Sequence, residues 1–464
     1  MTALELARLQ FGITTLFHFI FVPLSIGSAL FVAVFQTAHH RTGKDVYARL
    51  TRFWGKLMLI SFAVGVVTGI VQEFQFGMNW SDYSRYVGDI FGAPLAVEAL
   101  AAFFLESTFI GLWIFGKGRL PAKVHLATIW AVAIGSMMSA YFILAANSWM
   151  QHPVGYKLAN GRAEMTSFWA VLTNSTALYA FAHTILGAIV TAGMVMLGIS
   201  AWHLLRKHDV EAFRKTAVLT LVVVFAATAA TSLVGHFQAQ LMTEQQPMKM
   251  AAAEALYDSQ SNAPFSAFAV APFEATPERL TFNIEVPDGL SILATNSPSG
   301  RVEGINDLQR EYVAKYGPGD YRPVIGITYW SFRLMVGMAM LMLLLSFIGL
   351  ILWRRGSLTD SRRFLKIAAW AIPLPFIANA TGWIFTEMGR QPWVVQGLLR
   401  TKDGVSPMVS AGYVATTLIG FTLLYGVLAV IALWLGLREM RRGTSPEEGE
   451  DAEGRDTSEP SLAY

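Results

Sequence analysis

The chain has 464 residues, of which 54% are hydrophobic and only 14% charged, whereas an ordinary soluble domain carries about 25% charged residues. With a formal net charge of +3 and apolar stretches along its whole length, a soluble multidomain enzyme is excluded and no nucleic-acid partner is expected. There is no cysteine. Disulfides, thiolate-held iron–sulfur clusters and covalent c-type haem are therefore excluded, and any redox group must be held by His, Met, Glu, Asp or Tyr.

Apolar runs long enough to span a bilayer, about 20 residues each, predict about nine helices near 11–38, 54–76, 94–116, 122–147, 178–204, 216–238, 327–353, 365–387 and 410–437. The first run has no basic leader and no small-residue cleavage site, and is expected to be a retained span. The odd-numbered loops are rich in basic residues: Arg41, Lys44, Arg49 and Arg52, then Lys117, Arg119 and Lys123, then Arg206, Lys207, Arg214 and Lys215, then Arg354, Arg355, Arg362 and Arg363. Arg438, Arg441 and Arg442 follow the last span. The positive-inside rule puts these in the cytoplasm, with the N-terminus outside and the C-terminus inside. The expected fold is an all-α integral membrane protein of helical bundles. Spans one to six lie in 1–238, a long external loop in 239–326, and spans seven to nine in 327–440. The segment 441–464, with Glu447, Glu448, Glu450, Asp451 and Glu453, reads as a solvated, disordered tail.

An ionisable group inside a span costs at least a few kcal/mol, so each is a candidate functional residue. His18 in the first span and His183 in the fifth stand at similar shallow depth, as iron ligands or as hydrogen-bonded structural histidines. His236 reads as interfacial; His39, His40, His125, His152, His203 and His208 fall in or near loops. Glu98 and Glu106 on the third span lie about 12 Å apart along the axis, spaced as successive steps of one path or as two carboxylates bonded to neighbouring helices. Arg333, about six residues inside the seventh span, needs a carboxylate or a propionate as partner. Met335 leaves the helix on nearly the opposite side, about 200° away. In GWIFTEMGRQPW, Trp383 and Glu387 share a helical face and Arg390 follows; the alternative there is an interfacial belt. With the topology above, His18, His183, Glu98, Met335 and Glu387 form one layer toward the outer face. Iron held by His and Met has both axial positions filled and suits electron transfer, whereas iron with an open position binds O₂.

The RLQF segment followed by His18, the stretch QPMKMAAAEA (Gln246–Ala255), SFRLM, and GWIFTEMGRQPW (Gly382–Trp393) resemble subunit I of the cytochrome bd quinol oxidases, over essentially the whole chain. The resemblance implies that His183 and Met335 ligate a low-spin haem b. It implies that His18, Glu98 and Glu387 serve two high-spin haems, one haem b and one haem d, in either order. It also implies that Lys249 and Glu254, in an external loop of the short form, bind and deprotonate quinol; an exposed helix carrying a Lys–Glu pair is the alternative. Quinol oxidation outside and O₂ reduction to water with cytoplasmic protons would separate charge without pumping. Glu106 is the candidate proton relay, with Ser139 a second by resemblance. Trp383 is expected between the high-spin haems, and Arg8, Arg333 and Arg390 opposite propionates. The implied setting is the plasma membrane of a prokaryote, with a second large subunit (subunit II) and small single-span subunits as partners. Two rivals are an ion-coupled transporter, which predicts an internal repeat that is not seen, and a quinol-to-haem electron carrier that reduces no O₂. The carrier would be expected to show histidines paired roughly 13–14 residues apart on one helix, as bis-His bundles do; the chain has no such pair.

Overall fold

The computed structural model describes residues 1–270 and 282–444. Most of the segment expected to be a disordered tail thus lies outside the described residues. Helix α1 (Ala3–Thr42) begins at a capping box, in which Thr2 and Glu5 satisfy each other's backbone donors, and stops at Gly43 with φ 64°. Helix α2 (Asp45–Met78) returns antiparallel. Next come α3 (Ser81–Val97), a π-helical segment (Glu98–Phe103) and α4 (Phe104–Phe115), which run on as one rod. The hydropathy reading began this span only at 94. The earlier turns are amphipathic, with Tyr83, Val87 and Ile90 buried while Arg85 faces out, so they lack the uniform apolarity that marks a span.

Helix α5 (Ala122–Gln151) is followed by a short hairpin, β1 (Tyr156–Ala159) with β2 (Arg162–Met165), and by α6 (Phe168–Leu172). Helices α7 (Ser175–Leu205) and α8 (Val210–Gln245) form the tightest hairpin of the bundle. The observed α8 outruns the expected 216–238 at both ends, because its last turns, QAQLMTEQ, are polar yet helical. The long loop is built from α9 (Pro247–Glu254), β3 (Gln260–Ser261), β4 (Phe265–Val270), β5 (Phe282–Val286), α10 (Gly289–Thr295), β6 (Arg301–Val302) and α11 (Ile305–Tyr316). Strand β3 pairs with β6 and β4 with β5, both antiparallel. Helix α9 packs through Met248, Ala251 and Ala252 on Ile305, Leu308, Tyr312 and Tyr329.

Helix α12 (Ile325–Arg354) packs against α8 and against residues 373–388 of the eighth span. The eighth span is divided into α13 (Arg362–Trp370) and α14 (Pro373–Met388), with Pro373 in the first turn, where its missing N–H leaves nothing unpaired. A small pair, β7 (Trp393–Val395) with β8 (Leu399–Arg400), leads to α15 (Ala411–Arg442). Among the described residues, nine helices are long and apolar enough to cross a membrane.

The largest core lies at one end of the bundle, where Phe31, Phe35, Trp54, Met58, Met194, Phe213 and Leu221 interdigitate. There α1 and α7 touch backbone to backbone. A Cβ on Gly27 would stand 2.7 Å from Ala192 Cβ, so only a glycine permits the approach. The candidate residues sit nearer the other end, where α9 and the β7–β8 turn close over the bundle.

Candidate functional site

Three potential iron ligands each face a glycine on a neighbouring helix. His18 of α1 is fixed by its Nδ1, 2.8 Å from Thr68 Oγ1 on α2, and its ring turns Cε1 and Nε2 toward Gly69, where an added Cβ would come within 3.3 and 3.8 Å. His183 of α7 turns the other ring edge to Gly235 of α8, with Cε1 and Nδ1 at 3.3 and 3.5 Å from an added Cβ, and the buried Nδ1 has no hydrogen-bond partner. Met335 of α12 points its sulfur at Gly382 of α14, where a Cβ would stand 2.8 Å away. A buried imidazole nitrogen without a partner is a costly group in an apolar core and calls for an explanation. Among the described residues no three His, Asp or Glu side chains gather as they would round a bare metal ion.

The two carboxylates of the third span lie against α5. Glu98 accepts a hydrogen bond from Ser139 Oγ at 2.6 Å, and Glu106, buried, accepts from Ser136. Ser136 and Ser139 are one turn apart, so the carboxylates and hydroxyls make two rungs of one ladder. Glu98 opens the π-helical segment, a local widening that often marks a functional position.

Glu387 of α14 is held on both oxygens. Arg390 binds Oε2 and Asn147 Nδ2 of α5 donates to Oε1 at 3.0 Å. Arg390 is buried, and its Nε and Nη1 have no partner, leaving two donors free for an anionic group. Trp383, half-buried, lies one turn before Glu387. Arg8 is exposed on α1.

Lys249 and Glu254 are 3% and 4% exposed, which removes the reading of α9 as an exposed helix with a surface pair. Their five-residue spacing turns them about 140° apart, so they address different neighbours. Lys249 Nζ donates to Gln151 Oε1 at 2.7 Å, and its stem lies against Gly389. Burial, followed by the charge of Arg390, brings the Lys249 ammonium down to about 7. Glu254 receives Arg333 in a two-pronged ion pair, Nη2 to Oε2 at 2.6 Å and Nη1 to Oε1 at 3.2 Å. The partner that Arg333 requires inside its span is therefore a carboxylate from the loop. The same guanidinium donates to the carbonyls of Ala253 and Ser266 and lies 4.2 Å from the Tyr329 ring centre. Burial raises the Glu254 carboxyl and Arg333 opposes that rise.

Sequence reasoning missed Thr68, Ser136, Asn147 and Gln151. Each is a neutral polar residue in an apolar helix, and composition gives such a residue to the interface or to packing. The usable signal is the i, i+4 spacing of Asn147 and Gln151, which puts both on one face. A narrow cleft beside Lys249, about 10 Å³, is lined by Gln246, Tyr312, Tyr321, Arg390 and Trp393 among others. A wider one of about 290 Å³ lies on the far side of α9, against Thr243, Met250 and Arg301.

A family model described as cytochrome bd terminal oxidase subunit I matches residues 6–444. The chain is 49% identical over 452 residues to the cytochrome bd ubiquinol oxidase subunit 1 of Bacillus subtilis (strain 168), covering 97% of this chain and 96% of that one. It is 38% identical to the cytochrome bd-II ubiquinol oxidase subunit 1 of Escherichia coli (strain K12), covering 96% and 98%. Among solved structures it is similar to a chain of the bd oxidase from Geobacillus thermodenitrificans, with a TM-score of 0.86 at 31% identity, covering 95% of this chain and 99% of that one.

Proposed function

The chain belongs to the cytochrome bd terminal oxidase subunit I family, and from that premise we propose that it oxidises quinol at α9 and delivers the electrons to haems held by α1, α3, α7, α12 and α14 for the reduction of O₂. Two quinols and one O₂ give two quinones and two waters. His183 and Met335 are the proposed axial pair of a low-spin haem b. His18, Glu98 and Glu387 are the proposed ligands of a high-spin haem b and a haem d. Haem, when bound, would supply a one-electron redox iron and a site for O₂.

The observation that carries this reading is the placement of the two ionic groups of α9. Glu254 grips Arg333, two residues from Met335, and Lys249 is linked through Gln151 and Asn147 to Glu387. The proposed quinol residues thus touch the surroundings of both the electron-entry and the oxygen-reducing ligands. Lys249 holds a quinol oxygen by donation, and Glu254 takes the hydroxyl proton as general base while Arg333 keeps the carboxylate oriented. Arg390, with its two unpaired donors, is placed to hold a propionate. Protons for water formation enter from the opposite face by way of Glu106 with Ser136, then Ser139 with Glu98. The loop then lies outside, and charge crosses the membrane without a pump. A second large subunit completes the complex in the plasma membrane of a prokaryote, with small single-span subunits beside it.

Reduced-minus-oxidised and CO-difference spectra of the purified complex test the assignment. A far-red chlorin band with low-spin b bands is expected. Low-spin bands alone would make the chain an electron carrier.

A further inference from the structure

Three hydrogen bonds join Lys249 to Glu387 through two amides. Lys249 Nζ donates to Gln151 Oε1 at 2.7 Å, Gln151 Nε2 to Asn147 Oδ1 at 3.0 Å, and Asn147 Nδ2 to Glu387 Oε1 at 3.0 Å. The ends of the chain set its sense, because an ammonium can only donate and a carboxylate can only accept. Each amide therefore has one orientation that serves both neighbours. All three donors point the same way, an arrangement in which every bond polarises the next. A side-chain amide does not hand a proton from nitrogen to oxygen without an unfavourable tautomer, so the chain orients its ends and is no proton wire. Gln246 Nε2 also donates to the Gln151 carbonyl at 2.6 Å, which ties the start of α9 to the last turn of α5.

The cleft at Lys249 has about 10 Å³, roughly the room of one water. Although the ammonium has three donors, in so small a space a substrate oxygen that reaches Nζ competes with Gln151 Oε1 and draws the cation away from it. Gln151 then loses its cationic donor, Asn147 is released from its fixed orientation, and Glu387 keeps only Arg390 on its other oxygen. We propose that Gln151 and Asn147 are positioning residues that transmit the arrival of a quinol or quinone oxygen at Lys249 to the carboxylate of Glu387. This rests on the reading of Lys249 as a quinol contact and Glu387 as an iron ligand. It gives the two sites a direct mechanical link through one face of α5.

The test uses the intact purified complex and absorption with magnetic circular dichroism, so that the readout is spectroscopic and independent of turnover. Oxidised short-tailed ubiquinone added to the air-oxidised complex shifts the high-spin bands and leaves the low-spin bands in place. Gln151→Leu shows shifted high-spin bands before quinone is added and no further response to it. Gln151→Glu keeps the acceptor for Lys249 but removes the donor to Asn147. It gives the same high-spin spectrum as Gln151→Leu, and it decides the matter where the leucine variant fails to assemble. The pair Lys249→Met with Asn147→Leu shifts no further than Asn147→Leu alone. A full quinone response in Gln151→Glu, or additive shifts in the double variant, would overturn the link. The underlying reading has separate tests: Glu387→Ala with unaltered high-spin bands sinks the ligand assignment, and Lys249→Met with an unaltered KM sinks the quinol contact.

Discussion

His183 and His203 stand on the same helix, α7, twenty residues apart in number, and both are enclosed by protein. At one end His203 is 0% exposed, its Nε2 lies 2.9 Å from the Met440 carbonyl, its Nδ1 3.0 Å from His208 Nδ1, and its ring stacks on Phe213 with centroids 3.8 Å apart. At the other end His183 leaves Nδ1 without a partner and faces a glycine. His203 is fully buried and His183 partly so, but the sharper difference is in what their nitrogens touch. The same contrast divides the bundle. His125 uses both nitrogens, on Gln36 and on the Trp113 carbonyl, each at 2.9 Å, as part of a closed structural knot. At the end closed by α9, Arg390 Nε and Nη1 and His183 Nδ1 have no such partners.

The largest effect follows from breaking that contrast directly. His183→Ala is expected to abolish the low-spin b bands in the reduced-minus-oxidised spectrum, whereas His203→Ala keeps every haem band and lowers stability by about 1–3 kcal/mol, the cost of leaving buried partners unpaired. Thermal unfolding of the two variants checks the second half. Retained low-spin bands in His183→Ala would end the ligand assignment and with it the lesson drawn from the unpaired nitrogen.

Next come the two ionic groups of α9, which separate by pH. The base role proposed for Glu254 requires the ionised carboxylate, and burial holds its carboxyl above the ordinary value. Quinol turnover therefore begins to fall on the acid side at a higher pH than an exposed carboxylate would give. Arg333→Gln, by removing the stabilising cation, moves that limb to still higher pH. Glu254→Gln loses about 10²-fold or more in kcat. Lys249, brought down to about 7, is a cation below that pH and neutral above it, so the KM for quinol rises as pH passes upward through about 7. Lys249→Arg removes this rise, since a guanidinium stays charged. A KM that is flat with pH in the unaltered complex contradicts the role given to Lys249.

The third test concerns Glu106, which the ladder places beyond Glu98 from α9. Glu106→Gln is expected to slow turnover by about 10² while keeping all haem bands, because it removes a proton carrier and no ligand. Full turnover with full charge movement would remove Glu106 from the path. Glu98→Gln differs in kind, since it alters the high-spin bands.

Much of this was readable in the chain itself. Nine apolar runs correspond, among the described residues, to nine long helices, and the His, Met and Glu residues proposed as ligands stand out by their depth and by the motifs around them. Two kinds of information were not local. Helix ends such as 210–215 and 239–245 are polar, and a hydropathy pattern stops where apolarity stops, although backbone hydrogen bonding continues. Partner choice was the other: Arg333 demands a partner by its charge, but that this is Glu254, 79 residues earlier, is a property of the folded loop. For the same reason His203 reads in the sequence as a residue in or near a loop, and nothing there singles out Asn147. Their roles depend on Met440, His208 and Glu387, which only the fold brings to them.

The smallest expected effect compares His18 with His183. His18 is held through Nδ1 by Thr68, which is buried and in turn donates to the Val64 and Gly65 carbonyls at 2.8 and 3.0 Å. Thr68→Val preserves shape and removes that contact, so it makes His18 resemble His183, a ring oriented by packing and by whatever binds its other face. The net stability change is about 1 kcal/mol. The partner of a ligating histidine also fixes its tautomer and basicity, so the high-spin bands shift while the low-spin bands of the unaltered His183 site do not. A shift in both sets would mean that Thr68 supports the packing of α1 on α2 and does not act on His18 in particular.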